Sequence, residues 1–118
     1  MDPYREHILD HYQNPRNRGS LRDPTFSVDE DNPVCGDRLH LDVILRDGTI
    51  GEIAFSGEGC AISLAAASIL TEETKGKAIA AVKRFSDNDM LQALGIELSP
   101  TRLKCGLLAV SGLRRGLQ

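Results

Sequence analysis

Aromatic side chains are scarce in this chain of 118 residues: they make up 4%, and there is no Trp. Any core must therefore be built from Leu, Ile, Val and Ala. Basic residues are outnumbered 14 to 17, for a net charge of −3. That balance lacks the basic footprint of a nucleic-acid binder, so nucleic acid is not expected as a partner. Long apolar runs are missing too. The least polar stretch, CAISLAAASIL (Cys60 to Leu70), is too short and too rich in Ala and Ser to cross a bilayer. The opening MDPYREHILDHYQ is charged from its second residue and has no apolar stretch of the secretory kind. A cytoplasmic chain with no membrane segment is the expectation. Cysteine is sparse and odd in number, at three, which disfavours a disulfide framework in a reducing compartment and leaves free thiols or a metal site.

Repeats, low-complexity tracts and linker-like segments are also missing, so one domain over residues 1–118 is expected. Tyr4 to Gln13 is expected to be a short helix with Ile8, Leu9 and Tyr12 on one face. Asn14 to Pro24 is dense in Asn, Pro and Gly and reads as an ordered loop. Phe26 and Val28 alternate in a candidate edge strand. RLHLDVILRDG places Leu39, Leu41, Val43 and Leu45 on one strand face. Asp47-Gly48 signals a hairpin, with TIGEIAFSG as the returning strand.

The period then changes. Ala61 to Lys75 has helical spacing, with Gly76 as its stop. KAIAAVKRF reads as a second helix. A third opens with Ser86 as N-cap and Asp89 three residues on, a short-armed capping box, and ends at Gly95. In the last, Ser99 is the cap, Pro100 lies in the first turn, and Leu103, Leu107, Leu108 and Val110 form a face. Strands first and helices after give an α+β fold: a small antiparallel three-stranded sheet with helices packed on one face.

The three cysteines stand at special backbone positions. Cys35 precedes Gly36 and Asp37 at the entrance to a strand. Cys60 follows Gly57 and Gly59 at an expected helix N-terminus, where free N–H groups favour a thiolate. Cys105 lies beside Lys104, whose charge is expected to depress that thiol's pKa. Three soft thiolates and one hard carboxylate suit Zn²⁺ or Fe²⁺ in a four-coordinate site, with Asp37 as fourth ligand. An exposed carboxylate among thiolates is expected to exchange readily, giving a site that holds a metal and releases it. The gaps of 25 and 45 residues (35 to 60, 60 to 105) are unlike tight CxxC pairs. Spacing alone leaves open whether the cysteines share a metal or fill a core as small apolar side chains.

These segments are recognisable together. YREHILDHYQNPRNRGSL, NPVCGDRL, GEGCAISLAAASIL and RLKCGLLA resemble, in order and over nearly the whole chain, the U-type iron–sulfur scaffold family: IscU, SufU and the N-terminal domain of NifU. The resemblance implies a SufE/NifU-like α+β sandwich in which Cys35, Cys60, Cys105 and Asp37 meet at one tip. It implies a scaffold, not a turnover enzyme, that accepts sulfur from a cysteine desulfurase on Cys105 or Cys60. Iron and sulfide are built into a transient 2Fe–2S cluster and passed to apo acceptor proteins. The SufU branch implies an alternative, a zinc-dependent sulfurtransferase with Zn²⁺ at the same four residues. Lys104 stands where many IscU proteins have His and SufU proteins tend to have Lys, as an auxiliary residue. The short gap between Cys60 and Cys105 is like that of IscU. LSPTR (Leu98 to Arg102) lies where the family carries its chaperone-read segment Leu-Pro-Pro-Val-Lys and differs from it; a chaperone is a further implied partner, and the chain is expected as a monomer or weak homo-oligomer.

Other polar residues read as less special. His7 and His11, four apart, are expected to be incidental on a surface helix. His40 points away from the Leu face and is expected to be solvated. Arg16 and Arg18 are candidates for an acidic partner surface or a solvated loop. Met1 to Arg5 is expected to be mobile without a partner.

Overall fold

The computed structural model describes residues 3–118; the expectation for Met1 to Arg5 falls partly outside them. The chain runs α1 (Pro3–Gln13), β1 (Phe26–Asn32), β2 (Asp37–Arg46), β3 (Thr49–Glu58), α2 (Ala61–Thr74), α3 (Ile79–Lys83), α4 (Asp87–Leu94) and α5 (Pro100–Gly116). The strands form an antiparallel meander in the order β1-β2-β3. Asn32 faces Asp37 across the first turn and Arg46 faces Thr49 across Asp47-Gly48.

Alternation fixes which side of the sheet is buried. Leu39, Leu41 and Val43 of β2 and Ile53 and Phe55 of β3 share one face, with Leu41 opposite Phe55 and Val43 opposite Ile53. Each such side chain, fully buried, contributes roughly 1.5–3 kcal/mol. A bulge between Ile44 and Leu45 shifts the register, so Leu45 pairs with Ile50 and is only half-buried. Both α2 and α5 lie on this face, α5 over β1 and β2 and α2 beside β3. The loop between α1 and β1 closes the outer edge of β3: Gly19 N–H donates to Phe55 O at 2.7 Å, and Phe55 N–H donates to Asn17 O at 3.0 Å.

Helix α2 is buried nearly all round, from Ser63 through Thr71. Its alanines Ala65, Ala66 and Ala67 let neighbouring elements approach closely. Helix α5 is flat where it crosses β1. A Cβ on Gly112 would meet Glu30 Cγ at 2.7 Å, and one on Gly116 would meet Phe26 Cε2 at 2.3 Å. Of the face expected on α5, Leu108 and Val110 are buried, while Leu103 and Leu107 are half-buried beside the β1–β2 turn.

Three expectations are corrected. Helix α1 buries Ile8 and His11, leaving Leu9 46% and Tyr12 42% exposed. The second helix is shorter than KAIAAVKRF because Lys77 and Ala78 are held as extended backbone: Ile50 N–H donates to Lys77 O at 2.9 Å and Ile79 N–H to Gly48 O at 2.8 Å. Ser99 occupies the N-cap position of α5, but its side chain makes no capping bond. The capping box at Ser86 is present in full, with Asp89 N–H donating to Ser86 Oγ at 3.0 Å and Ser86 N–H to Asp89 Oδ2 at 2.9 Å. Among the described residues, no helix is long and apolar enough to cross a membrane.

Candidate metal centre

Three elements bring Cys35, Asp37, Cys60 and Cys105 to one pole. Cys35 sits in the β1–β2 turn. Cys35 N–H and Gly36 N–H both donate to Asn32 O, at 3.1 and 2.8 Å. Gly36 has φ +73°, a left-handed conformation that a β-carbon would penalise. That twist turns Asp37, the first residue of β2, inward. Cys60 is the N-cap residue of α2 and its side chain makes no capping bond. Cys105 lies in the second turn of α5.

Asp37 takes over the capping that Cys60 leaves undone. Its Oδ1 accepts the Cys60 backbone N–H at 2.8 Å, and its Oδ2 lies 3.9 Å from Cys60 Sγ. A carboxylate at this helix end meets the positive pole of the macrodipole. Gly59 makes the room: a Cβ there would stand 2.5 Å from Asp37 Oδ1 and 2.7 Å from Ser63 Oγ. Gly57, at φ +128°, brings the chain in; its Cβ would meet Arg38 O at 2.0 Å. Ser63 is a residue the sequence reading passed over. Its hydroxyl donates to Cys60 O at 3.0 Å and lies 3.8 Å from Cys60 Sγ. A serine three residues past an N-cap cysteine is the signal that marks it.

The sulfurs of Cys35 and Cys105 are 3.3 Å apart, both as free thiols. Donor atoms of Cys35, Asp37 and Cys105 all lie within 4.8 Å of one another. Cys60 joins this group through its contact with Asp37. Around a tetrahedral zinc with bonds near 2.3 Å, ligand sulfurs sit about 3.8 Å apart, so Cys35, Asp37 and Cys105 fit such an ion with small adjustments. Asn32, buried, donates from Nδ2 to Cys105 Sγ at 3.9 Å.

Two expectations about electrostatics do not hold. Asp37 is not an exposed carboxylate: it is 0% exposed. The Cys105 thiol is not activated by Lys104. Burial pushes its pKa well up, and hydrogen bonds with Cys35, Asp37 and Cys60 push the same way. Lys104 is exposed; successive helical residues point about 100° apart, so a sequence neighbour does not face the thiol.

His11 and His40 have defined partners, against expectation. His11 is buried, with Nδ1 2.7 Å from Ser68 Oγ. Ser68 Oγ also accepts Arg16 N–H at 2.8 Å, and with the His11 ring proton on Nε2, toward Glu72 Oε1 at 3.6 Å, the Ser68 hydroxyl donates to Nδ1. Burial is the main cause that lowers the His11 pKa, with the Arg16 and His7 charges adding to it. His40 bridges Asp29 Oδ1 at 2.8 Å and Asp42 Oδ1 at 2.7 Å. The hydrogen bond to Asp29 is the main cause that raises its pKa. Arg16 pairs with Asp10 at 2.5 Å, and Arg18 donates to Gly57 O at 3.3 Å.

Comparison with known proteins places this pole in context. Residues 3–118 match the family described as NifU-like N terminal domain. The chain is 39% identical over 131 aligned residues to the zinc-dependent sulfurtransferase SufU of Bacillus subtilis, covering 97% of this chain and 88% of that one. It is 36% identical over 114 residues to the iron–sulfur cluster assembly scaffold protein IscU 1 of Archaeoglobus fulgidus, covering 97% and 74%. A solved structure from Fervidobacterium islandicum AW-1, named as an iron–sulfur cluster assembly scaffold for the SUF system, superposes with TM-score 0.85 at 25% identity, covering 96% of this chain and 95% of that one.

Proposed function

Because the chain belongs to the NifU-like N-terminal domain family, we propose that it accepts sulfur from a cysteine desulfurase and assembles an iron–sulfur cluster for transfer to apo proteins. The observation that carries this reading is the meeting of three thiols and one carboxylate, from three elements, at the N-terminus of α2. Iron and sulfide are cargo here, a 2Fe–2S unit held across Cys35, Cys60 and Cys105 with Asp37 as the fourth donor. The chain acts as one domain over residues 1–118, in the cytoplasm, without catalytic turnover of its own beyond sulfur transfer.

Exposure orders the thiols. Cys60 is half-exposed and lies at a helix N-terminus, which stabilises the charge of a thiolate or persulfide. Cys35 is half-exposed as well and Cys105 is 0% exposed, so sulfur from a partner's side chain reaches Cys35 or Cys60 before Cys105. Asp37 holds the Cys60 backbone in place as this happens.

A second reading, a zinc-dependent sulfurtransferase, is favoured by the mixed donor set and by the 39% identity to a relative of that name. Zn²⁺, when bound by Cys35, Asp37, Cys60 and Cys105, supplies a Lewis acid that keeps its thiolate ligands deprotonated.

Asp37→Ala separates the two readings. Cluster lifetime and zinc affinity are measured on one preparation purified without oxygen, with the cluster followed by visible absorption. For a scaffold, the variant still takes up a cluster and hands it on more slowly. For a zinc protein, zinc affinity falls by roughly 10–100-fold. Wild-type protein that takes up neither zinc nor cluster overturns both.

A further inference from the structure

The Cys35 and Cys105 sulfurs, 3.3 Å apart, are about 1.3 Å from disulfide length. The two thiols differ in setting. Cys105 is on the second turn of a long helix, 0% exposed, and accepts the Asn32 amide N–H at 3.9 Å. Cys35 is half-exposed, in the four-residue turn between β1 and β2, next to Val34, which is 76% exposed. An outer thiol that takes a sulfur adduct, backed by an inner thiol that resolves it, is the arrangement of thiol–disulfide exchange. Cys60 Sγ is instead set against oxygens, Asp37 Oδ2 at 3.9 Å and Ser63 Oγ at 3.8 Å.

We propose that Cys35 and Cys105 form a reducing dithiol that, in the metal-free chain, releases hydrogen sulfide from a persulfide carried on Cys35. The proposal rests on the reading that the chain accepts sulfur, and it adds a source for the electrons that turn that sulfur into sulfide. Cys105 Sγ attacks Cys35 Sγ. The bond between the two cysteine sulfurs forms, and the bond from Cys35 Sγ to the outer sulfur breaks. The outer sulfur leaves with the bonding pair, keeps its own proton and takes that of Cys105, departing as H₂S. The sulfane sulfur is reduced by two electrons, and the two cysteines are oxidised to one disulfide. Each chain turns over once until an external dithiol reopens the pair. A metal ion held by both sulfurs blocks the step, so the same residues either hold metal or reduce sulfur.

The test uses the full chain, reduced and freed of metal, treated with glutathione persulfide without oxygen. Hydrogen sulfide is assayed, and the bound sulfur and disulfides are mapped by mass spectrometry after alkylation. Wild type is expected to release about one H₂S per chain and to show a Cys35–Cys105 disulfide. Cys105→Ser is expected to keep the extra sulfur on Cys35 and release under about a tenth as much. Cys60→Ser is expected to take up less sulfur in total and still to show the Cys35–Cys105 disulfide. Zinc-loaded wild type is expected to release as little as Cys105→Ser, a control that requires no substitution. A wild-type chain that keeps its persulfide, a disulfide mapped to Cys60, or full release from Cys105→Ser overturns the dithiol while leaving sulfur acceptance standing. A chain that takes up no sulfur overturns sulfur acceptance and the dithiol with it.

Discussion

Helix α2 carries two buried polar regions of opposite character. In its middle, Ser68 and Thr71 bind α1 and the loop that follows. Ser68 Oγ meets His11 Nδ1 at 2.7 Å and Arg16 N at 2.8 Å, and Thr71 Oγ1 accepts the Asn17 amide at 3.1 Å. At its N-terminus, the sulfurs of Cys35, Cys60 and Cys105 have contacts of 3.3–3.9 Å, and the short bonds go to the Cys60 backbone, whose N–H donates to Asp37 Oδ1 at 2.8 Å and whose O accepts the Ser63 hydroxyl at 3.0 Å. Sulfur is larger and a weaker acceptor, which explains part of this difference. The middle of the helix is saturated by short bonds to groups of this chain and serves as an anchor, whereas the sulfurs at the end make only long contacts.

The comparison breaks most sharply at the cysteines. Replacing Cys35, Cys60 or Cys105 by Ser is expected to lower zinc affinity by about 100-fold or more with unchanged helical content by circular dichroism. A full complement of metal in all three variants, by elemental analysis, would remove the distinction. Ser68→Ala should do the reverse. It leaves Arg16 N–H without its buried acceptor and His11 without its donor, which costs roughly 2–3 kcal/mol of stability in urea unfolding. Its zinc affinity should match wild type; a parallel loss of both would mean that the two regions are one.

Gly59→Ala is expected to sharpen the picture at the pole. Its Cβ displaces Asp37 or Ser63, and zinc affinity is expected to fall about tenfold, near the lower end of losses from a supporting contact. An unchanged titration would show that the carboxylate tolerates the crowding.

The smallest effect expected is in pH dependence, where the two histidines oppose each other. The folded pKa of His11 is lowered, chiefly by burial. The unfolded chain therefore binds the proton first, and stability falls as pH drops below the ordinary histidine value of about 6.5. The folded pKa of His40 is raised, chiefly by its bond to Asp29. Its contribution is full below about 6.5 and is lost as pH rises through the folded value. In urea midpoints against pH, His11→Gln should flatten the acid side and His40→Gln the alkaline side. Identical slopes in both variants would refute the assignment.

Most of the fold was legible because alternation and helical spacing are local. Leu39, Leu41 and Val43 declare a strand face, and the alanines after Cys60 declare a buried helix. The capping box at Ser86 was equally plain. What failed was orientation. On α1, Leu9 and Tyr12 are apolar enough to suggest the buried side, but the surface presented by α2 is polar at Ser68, and His11 fits it better. At the site, the four donors were legible from type and position, while their exposure was not. Lys104 sits beside Cys105 in sequence and turns away from it on the helix. Asp37 is buried because Gly59, more than twenty residues on, leaves it room. The buried hydroxyls Ser68, Thr71 and Thr74, three apart on a largely apolar helix, were the available sign of a polar seam.

The flat side of α5 has a mechanical consequence. Gly112 and Gly116 let β1 lie directly against the helix, and β1 leads into the turn that carries Cys35, while the helix itself carries Cys105. The spacing of the two sulfurs is thus calibrated from two to three helical turns away, by the thickness of a hydrogen atom where a methyl group would otherwise stand. A wedge at either glycine would act as a crowbar, prying strand from helix and parting the sulfurs without touching them.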